Sequence, residues 1–87
     1  MILRLITEYV NKITLNDVYN FANQNGIFLK NIEAELIFNY IKNDWYTLIY
    51  GNPQMIFNDI KNKIDYETYT KVEQLYFYFK EKYKNYL

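Results

Sequence analysis

The sequence predicts an all-α fold, a compact bundle of four to five helices closed by a long C-terminal helix. Three observations carry that reading. Apolar residues recur at three- and four-residue spacing in successive segments, which is the period of a helix with one buried face. Capping residues stand where those segments begin. The only two glycines, Gly26 and Gly51, fall where segments end. The whole chain, residues 1–87, reads as a single α-helical domain.

The first helix is expected over residues 2–12, where Ile2, Leu3, Ile6, Tyr9, Val10 and Ile13 share a stripe. Thr14 then reads as an N-cap, with Asp17 three residues on completing a short capping box. Helix two carries Leu15, Val18, Tyr19, Phe21 and Ala22 and stops at Gly26, the residue suited to a left-handed C-terminus. Ile27-Phe28-Leu29 is a brief extended link. Helix three is predicted around 31–43, with Ile32, Leu36, Ile37, Tyr40 and Ile41 inward. The stretch DWYTLIYGNP is helical or irregular, and Gly51-Asn52-Pro53 breaks the chain. Asn52 as N-cap and Pro53 at the first helical position start helix four, which runs to Lys63 with Met55, Ile56, Ile60 and Ile64 inward. Asp65 caps a fifth helix reaching about Tyr83.

That last helix contains Leu75-Tyr76-Phe77-Tyr78-Phe79, five bulky residues with no polar break. At about 100° per residue, Val72, Tyr76, Phe79 and Tyr83 fall on one side, with Leu75 and Tyr86 at its edge. Phe77 and Tyr78 point away from this stripe. Two readings follow. Either the other helices wrap the C-terminal helix from both sides, or Phe77 and Tyr78 form an exposed patch for a partner or a second copy.

Composition narrows the chemistry. Ten basic residues match ten acidic ones, so no broad field of one sign exists to coat DNA. The chain has no Cys and no His, which removes Cys/His zinc sites, thiol nucleophiles and His-based acid–base pairs. Glu33 and Glu35 lie two apart and diverge on a helix. Asp44, Asp59 and Asp65 fall near helix ends, where capping or solvation accounts for them. Tyr–Lys acid–base pairs have only Lys82-Tyr83-Lys84, or Lys71 near Tyr69, to draw on. No catalytic residue, cofactor or metal is therefore expected, and the chain reads as no enzyme. The opening MILRLITEYVNK lacks a basic lead and a long apolar run, so it reads as helix rather than leader. No segment approaches the length needed to span a bilayer, and the cytoplasm is the expected compartment.

What remains is contact. Eleven Tyr and six Phe suit a chain this small, where each buried ring carries a large share of the stability, and a half-buried Tyr keeps its hydroxyl in water, so their number alone marks no site. Trp45, Tyr46 and Tyr50 lie in a stretch that periodicity leaves off the core. With Phe77 and Tyr78 they form the candidate surface for an unidentified protein or for self-association, since Trp and Tyr dominate interface hot spots. The alternative is a nucleic-acid or ribonucleoprotein accessory. There Lys80, Lys82 and Lys84, interleaved with Tyr83 and Tyr86, supply charge and stacking faces.

Two resemblances stand beside this reading. VYNFANQNGIFLKNIEAELI resembles, in topology, the helix–extended-loop–helix units of SAP-like and LEM-like domains, with fewer basic residues than their DNA-binding members. Over nearly the whole chain, ITLNDVYNFANQNGIFL, NIEAELIFNYIK and IDYETYTKVEQLYFYFKEKY together resemble the small YqfT-like proteins of Bacillales and relatives. The likeness rests on the helix start after Thr14, on Gly26-Ile27-x-Leu29, on Ala34 and on the helix from Asp65 to Phe79. It departs at DWYTLIYGNP, where that family has a more polar link. It implies a small cytoplasmic bacterial α-helical protein of unassigned role, with no catalytic residues to carry over.

Overall fold

The computed structural model describes residues 2–87 as five helices: α1 (Ile2–Lys12), α2 (Leu15–Gln24), α3 (Asn31–Tyr50), α4 (Gln54–Lys63) and α5 (Tyr66–Tyr83). A 3₁₀ turn over Lys84–Tyr86 ends the chain, and no strand occurs among the described residues.

Local chemistry sets most helix ends. The Asp17 amide donates to Thr14 Oγ1 at 3.2 Å, and the Thr14 amide donates back to Asp17 Oδ2 at 2.9 Å. This is the reciprocal capping box that the sequence predicts. Gly26 has φ +75°, and the amides of Gly26 and Ile27 donate to Asn23 O and Ala22 O at 3.1 and 2.8 Å. Those two bonds close α2 as a Schellman motif, which needs a left-handed residue at that position. Pro53, expected as the first helical residue, is instead the N-cap of α4: the Phe57 amide donates to Pro53 O at 3.0 Å, and Asn52, one position further out, accepts the Gln54 amide on Oδ1 at 3.0 Å. Asp65 Oδ2 takes the Thr68 amide at 3.3 Å and starts α5. Gly51 answers to space, because a Cβ there would lie 3.1 Å from Thr47 Cα.

DWYTLIY is helical. It continues α3 beyond a kink at Asp44, whose φ of −129° and ψ of 23° leave the helical region. Helix α3 is the spine of the molecule, touching α1, α2 and α4, while α5 lies against α4. Lys42 of α3 donates to Val10 O and Asn11 O at 3.0 and 3.2 Å, placing a cation on the C-terminal carbonyls of α1. Ile56, Phe57 and Ile60 of α4 pack with Tyr69 of α5 to form the main buried cluster, edged by Leu36, Tyr40, Leu48, Ile64 and Tyr76.

Several expectations are corrected: Ile2, Leu3, Tyr9 and Phe21, which the period places on apolar stripes, are exposed. Met55 is 83% exposed, because Ile56, Phe57 and Ile60 take the inward positions of α4 and Met55 falls outside their arc. Ile32 is 73% exposed, since Glu33 and Ala34 are the inward residues in the first turn of α3. Tyr83 and Tyr86 are exposed although the stripe points inward. Helix α4 has ten residues and α5 eighteen, so at about 1.5 Å per residue α5 outruns its neighbour by roughly 12 Å. Tyr69, seven residues before Tyr76 and so on the same face, is the buried residue of α5, although the expected stripe began only at Val72.

Glu33, which the sequence shows only as diverging from Glu35, is buried. It is 3% exposed, and its Oε1 accepts the Lys30 amide at 2.8 Å while Oε2 accepts the Asp65 amide at 3.3 Å. One carboxylate therefore ties the start of α3 to the start of α5. Bonds to a charged acceptor are each worth about 1.5–3 kcal/mol when the partner would otherwise be stranded. Glu33→Ala is expected to cost at least about 2 kcal/mol and lower Tm by roughly 10 °C, while Glu33→Gln, which keeps an acceptor, costs less. Thermal unfolding followed by circular dichroism checks this, and equal losses in the two variants would contradict it.

Candidate functional site

The residues singled out in the sequence form two aromatic clusters. In the first, Trp45 meets Tyr46 edge-on at 5.7 Å between ring centroids, and Tyr46 meets Tyr50 at 5.1 Å. They lie just past the kink at Asp44, which starts a new helical stretch in α3. Tyr46 is exposed, and Trp45 and Tyr50 are half-buried.

The second cluster lies on α5. Phe77 and Tyr78 are 56% and 57% exposed. Phe77 also stacks on the buried Phe57 at 6.3 Å, with ring planes 16° apart. Its inner face meets the core and its outer face meets water. Tyr78 packs edge-on to Phe79 at 5.2 Å and lies beneath the Lys82 ammonium at 5.7 Å. The exposed-patch reading of LYFYF therefore describes where these rings sit. Among the described residues no ring pair joins the two clusters. Their link is indirect: the Tyr76 hydroxyl donates to Leu48 O, fastening α5 to the second half of α3.

The three tail lysines point to different surroundings. Lys80 turns inward, donating to Leu48 O and to the Tyr76 hydroxyl oxygen at 3.3 Å each. Lys82 lies over the rings of Tyr78 and Tyr83. Lys84 is paired with Glu81 at 2.7 Å.

A polar cluster that the sequence left unassembled joins α3 to α4. Tyr40, read as a core residue, donates its hydroxyl to Asp59 Oδ2, and Lys63 Nζ lies 2.9 Å from Asp59 Oδ1. Asp59 is thus a bridging residue rather than a helix-end one. No sequence signal marks this pair, which is nineteen residues apart. The hydrogen bond to Asp59 pushes the Tyr40 phenol up to about 12, helped by burial and by the charges of Asp59 and Asp44. Tyr40 and Lys63 together hold the Asp59 carboxyl below its ordinary range. Tyr69 is also raised to about 12, by burial first and then by its hydrogen bond to Glu73 at 2.8 Å. Its partner is Glu73, not Lys71. A phenol held protonated that far above neutrality is ill matched to acid–base work, which favours a value near the operating pH. Both tyrosines act here as fasteners.

This geometry defines a small all-α protein whose candidate site is an aromatic surface on α3 and α5. Residues 1–80 match the family described as Protein of unknown function (DUF2624), and the chain belongs to that family. The matched region takes in both aromatic clusters and Lys80, and stops short of Lys82 and Lys84. No curated protein matches the chain, and no solved structure does. Among the described residues no helix is long and apolar enough to cross a membrane.

The raised phenols and the lowered carboxyl fix a pH dependence. Tyr40 and Tyr69 contribute fully below the unfolded value near 10, and that contribution is lost as pH rises from there to about 12. Asp59 contributes fully above the unfolded value of about 3.9 and loses its contribution as pH falls through its lower folded value. Urea midpoints should therefore drop between pH 8 and pH 11.5, and drop less in a Tyr40→Phe, Tyr69→Phe double variant. An unchanged drop would contradict these assignments.

Proposed function

We propose that the chain is a non-enzymatic contact module that pairs with a second copy of itself through the aromatic surface of α5 and the second half of α3. The single observation that carries this is surface left over. The chain exposes 6254 Å², against about 5,500 Å² expected for a folded monomer of its mass. The surplus of about 750 Å² is close to the share of roughly 800 Å² that each partner gives to a standard interface. Much of what is exposed is large and apolar, with Tyr46, Phe77 and Tyr78 among it. Patches of this kind on a small protein mark interaction sites.

A pairing of identical chains sets the same patch against itself, so each ring change acts twice. Phe77 suits an anchor, because Phe57 already holds its ring flat before any partner arrives. Little side-chain freedom is then lost on association. A bacterial cytoplasmic setting belongs to the same proposal and is supported by the likeness to the YqfT-like proteins.

Sedimentation velocity across a range from about 1 to 500 μM tests the reading, since an interface of this size spans micromolar and tighter affinities. The wild-type chain should pass from monomer to dimer. Tyr78→Ala should weaken the dimer by tenfold or more, with Tm shifted by no more than about 3 °C, as befits a hot-spot ring with little part in the fold. A chain that stays monomeric throughout would overturn the proposal. Binding to single-stranded RNA that weakens steeply with salt and is lost on Lys80/Lys82/Lys84→Ala would favour the nucleic-acid alternative instead.

A further inference from the structure

All five helices contribute to one apolar cavity of about 560 Å³, with Ile6, Phe21, Ile41, Ile60 and Val72 representing each in turn on its wall. Tyr9, Phe21 and Tyr83 line it and are also exposed, which marks the side on which it opens. Tyr46, Phe77 and Tyr78 do not line it, although Leu48, Ile49 and Lys80 of the same two helix segments do. Close-packed interiors hold few voids larger than a water molecule, and wall atoms facing empty space forfeit their dispersion contacts. A volume in the range of roughly 300–1,000 Å³ is that of a small-molecule site.

Two charged residues belong to the wall, Asp17 and Lys80. Asp17 is already engaged with the Thr14 amide in the capping box. Lys80 is half-buried and donates to Leu48 O and the Tyr76 oxygen, both uncharged acceptors. Among the described residues no carboxylate lies within salt-bridge distance of it, although Lys63 and Lys84 nearby in the chain each have one. An ammonium has three protons to give, and two are placed. Of the four tyrosines on the wall, Tyr40 and Tyr76 have their hydroxyls committed, to Asp59 and to Leu48 O, while Tyr9 and Tyr83 lie on the exposed side. The site therefore offers a half-open apolar hollow and, in Lys80, a half-buried cation whose contacts are Leu48 O and the hydroxyl and ring of Tyr76, with no carboxylate paired to it.

We infer that the cavity binds a long-chain aliphatic carboxylate, with its tail among the apolar walls and its carboxylate on Lys80. The flexible tail meets the irregular space between five helices, and the head completes the ion pair that the fold leaves open. This inference does not depend on self-association.

Titration calorimetry on the full chain, freed of bound lipid, tests it with octanoate, decanoate and dodecanoate below their micelle concentrations. One-to-one saturable binding is expected, tightening by up to about fourfold per added methylene. Dodecylammonium should bind at least tenfold more weakly than dodecanoate. Lys80→Met should weaken dodecanoate about tenfold while leaving dodecan-1-ol unchanged, a readout that a loss of folding would not produce. Val72→Trp, which fills the cavity, should abolish binding of both. If Val72→Trp fails to fold, the comparison of head groups on the wild-type chain still decides. No saturable binding at any chain length, or equal affinity for dodecanoate and dodecylammonium, would overturn the inference.

Discussion

The Glu33 carboxylate, held between the amides of Lys30 and Asp65, is the constraint on which the layout of this molecule depends. A carboxylate that buried is costly unless hydrogen bonds replace its water. Here each oxygen has a backbone donor, one at the head of α3 and one at the head of α5. The sequence separation between Glu33 and Asp65 is thirty-two residues, so the bond closes more than a third of the chain into one frame. Once that corner is fixed, α4 and α5 swing back across α3. Two further polar ties, Tyr40 to Asp59 and Tyr76 to Leu48 O, hold the layers together along the seam.

Between those ties the seam is filled by Ile56, Phe57, Ile60 and Tyr69, with Leu36, Leu48 and Ile64 packed against them. Among the described residues no large side chain is sealed from solvent, and Ala34 is the most deeply buried residue. A chain of 87 residues buries only about 60–65% of the surface of its unfolded form, so seventeen Tyr and Phe rings cannot all go inside. They have separate fates. Phe57 and Tyr69 build the core; Tyr40 and Tyr76 put their rings on the core and their hydroxyls on the neighbouring layer. Phe77, Tyr78 and Tyr46 face outward. The surplus of exposed surface and the open cavity are two results of one shortage of interior.

The legible part of this fold was the local part. Thr14 with Asp17, Gly26, Asn52-Pro53 and Asp65 act within three or four residues of themselves, and a sequence window contains everything they need. The kink in α3 also falls where helical periodicity breaks, at Asp44. Residues whose partners are distant were not legible. Nothing near Glu33 in the sequence marks it as buried, because its second amide donor, Asp65, stands thirty-two residues away at the head of α5. Asp59 looked like a helix-end charge because Tyr40 is nineteen residues away. Tyr83 and Tyr86 obeyed the helical period and still ended outside, because α4 is too short to cover them. For the candidate surface, the arithmetic of LYFYF placed Phe77 and Tyr78 off the core stripe but left open what covered them. The stacking of Phe77 on Phe57 depends on α4 lying alongside, which no pattern within α5 reveals.

Both the pairing surface and the cavity rest on one claim: the isolated chain keeps an unusual amount of apolar surface in contact with water. The heat capacity of unfolding reports that surface most directly, because exposing apolar area raises it. An ordinary chain of this length gives about 1.0–1.3 kcal/mol/K. Calorimetry on the dilute, lipid-free monomer is expected to give about 0.8 kcal/mol/K or less, as roughly follows from apolar surface that is hydrated before unfolding begins. A value within the ordinary range would contradict the account.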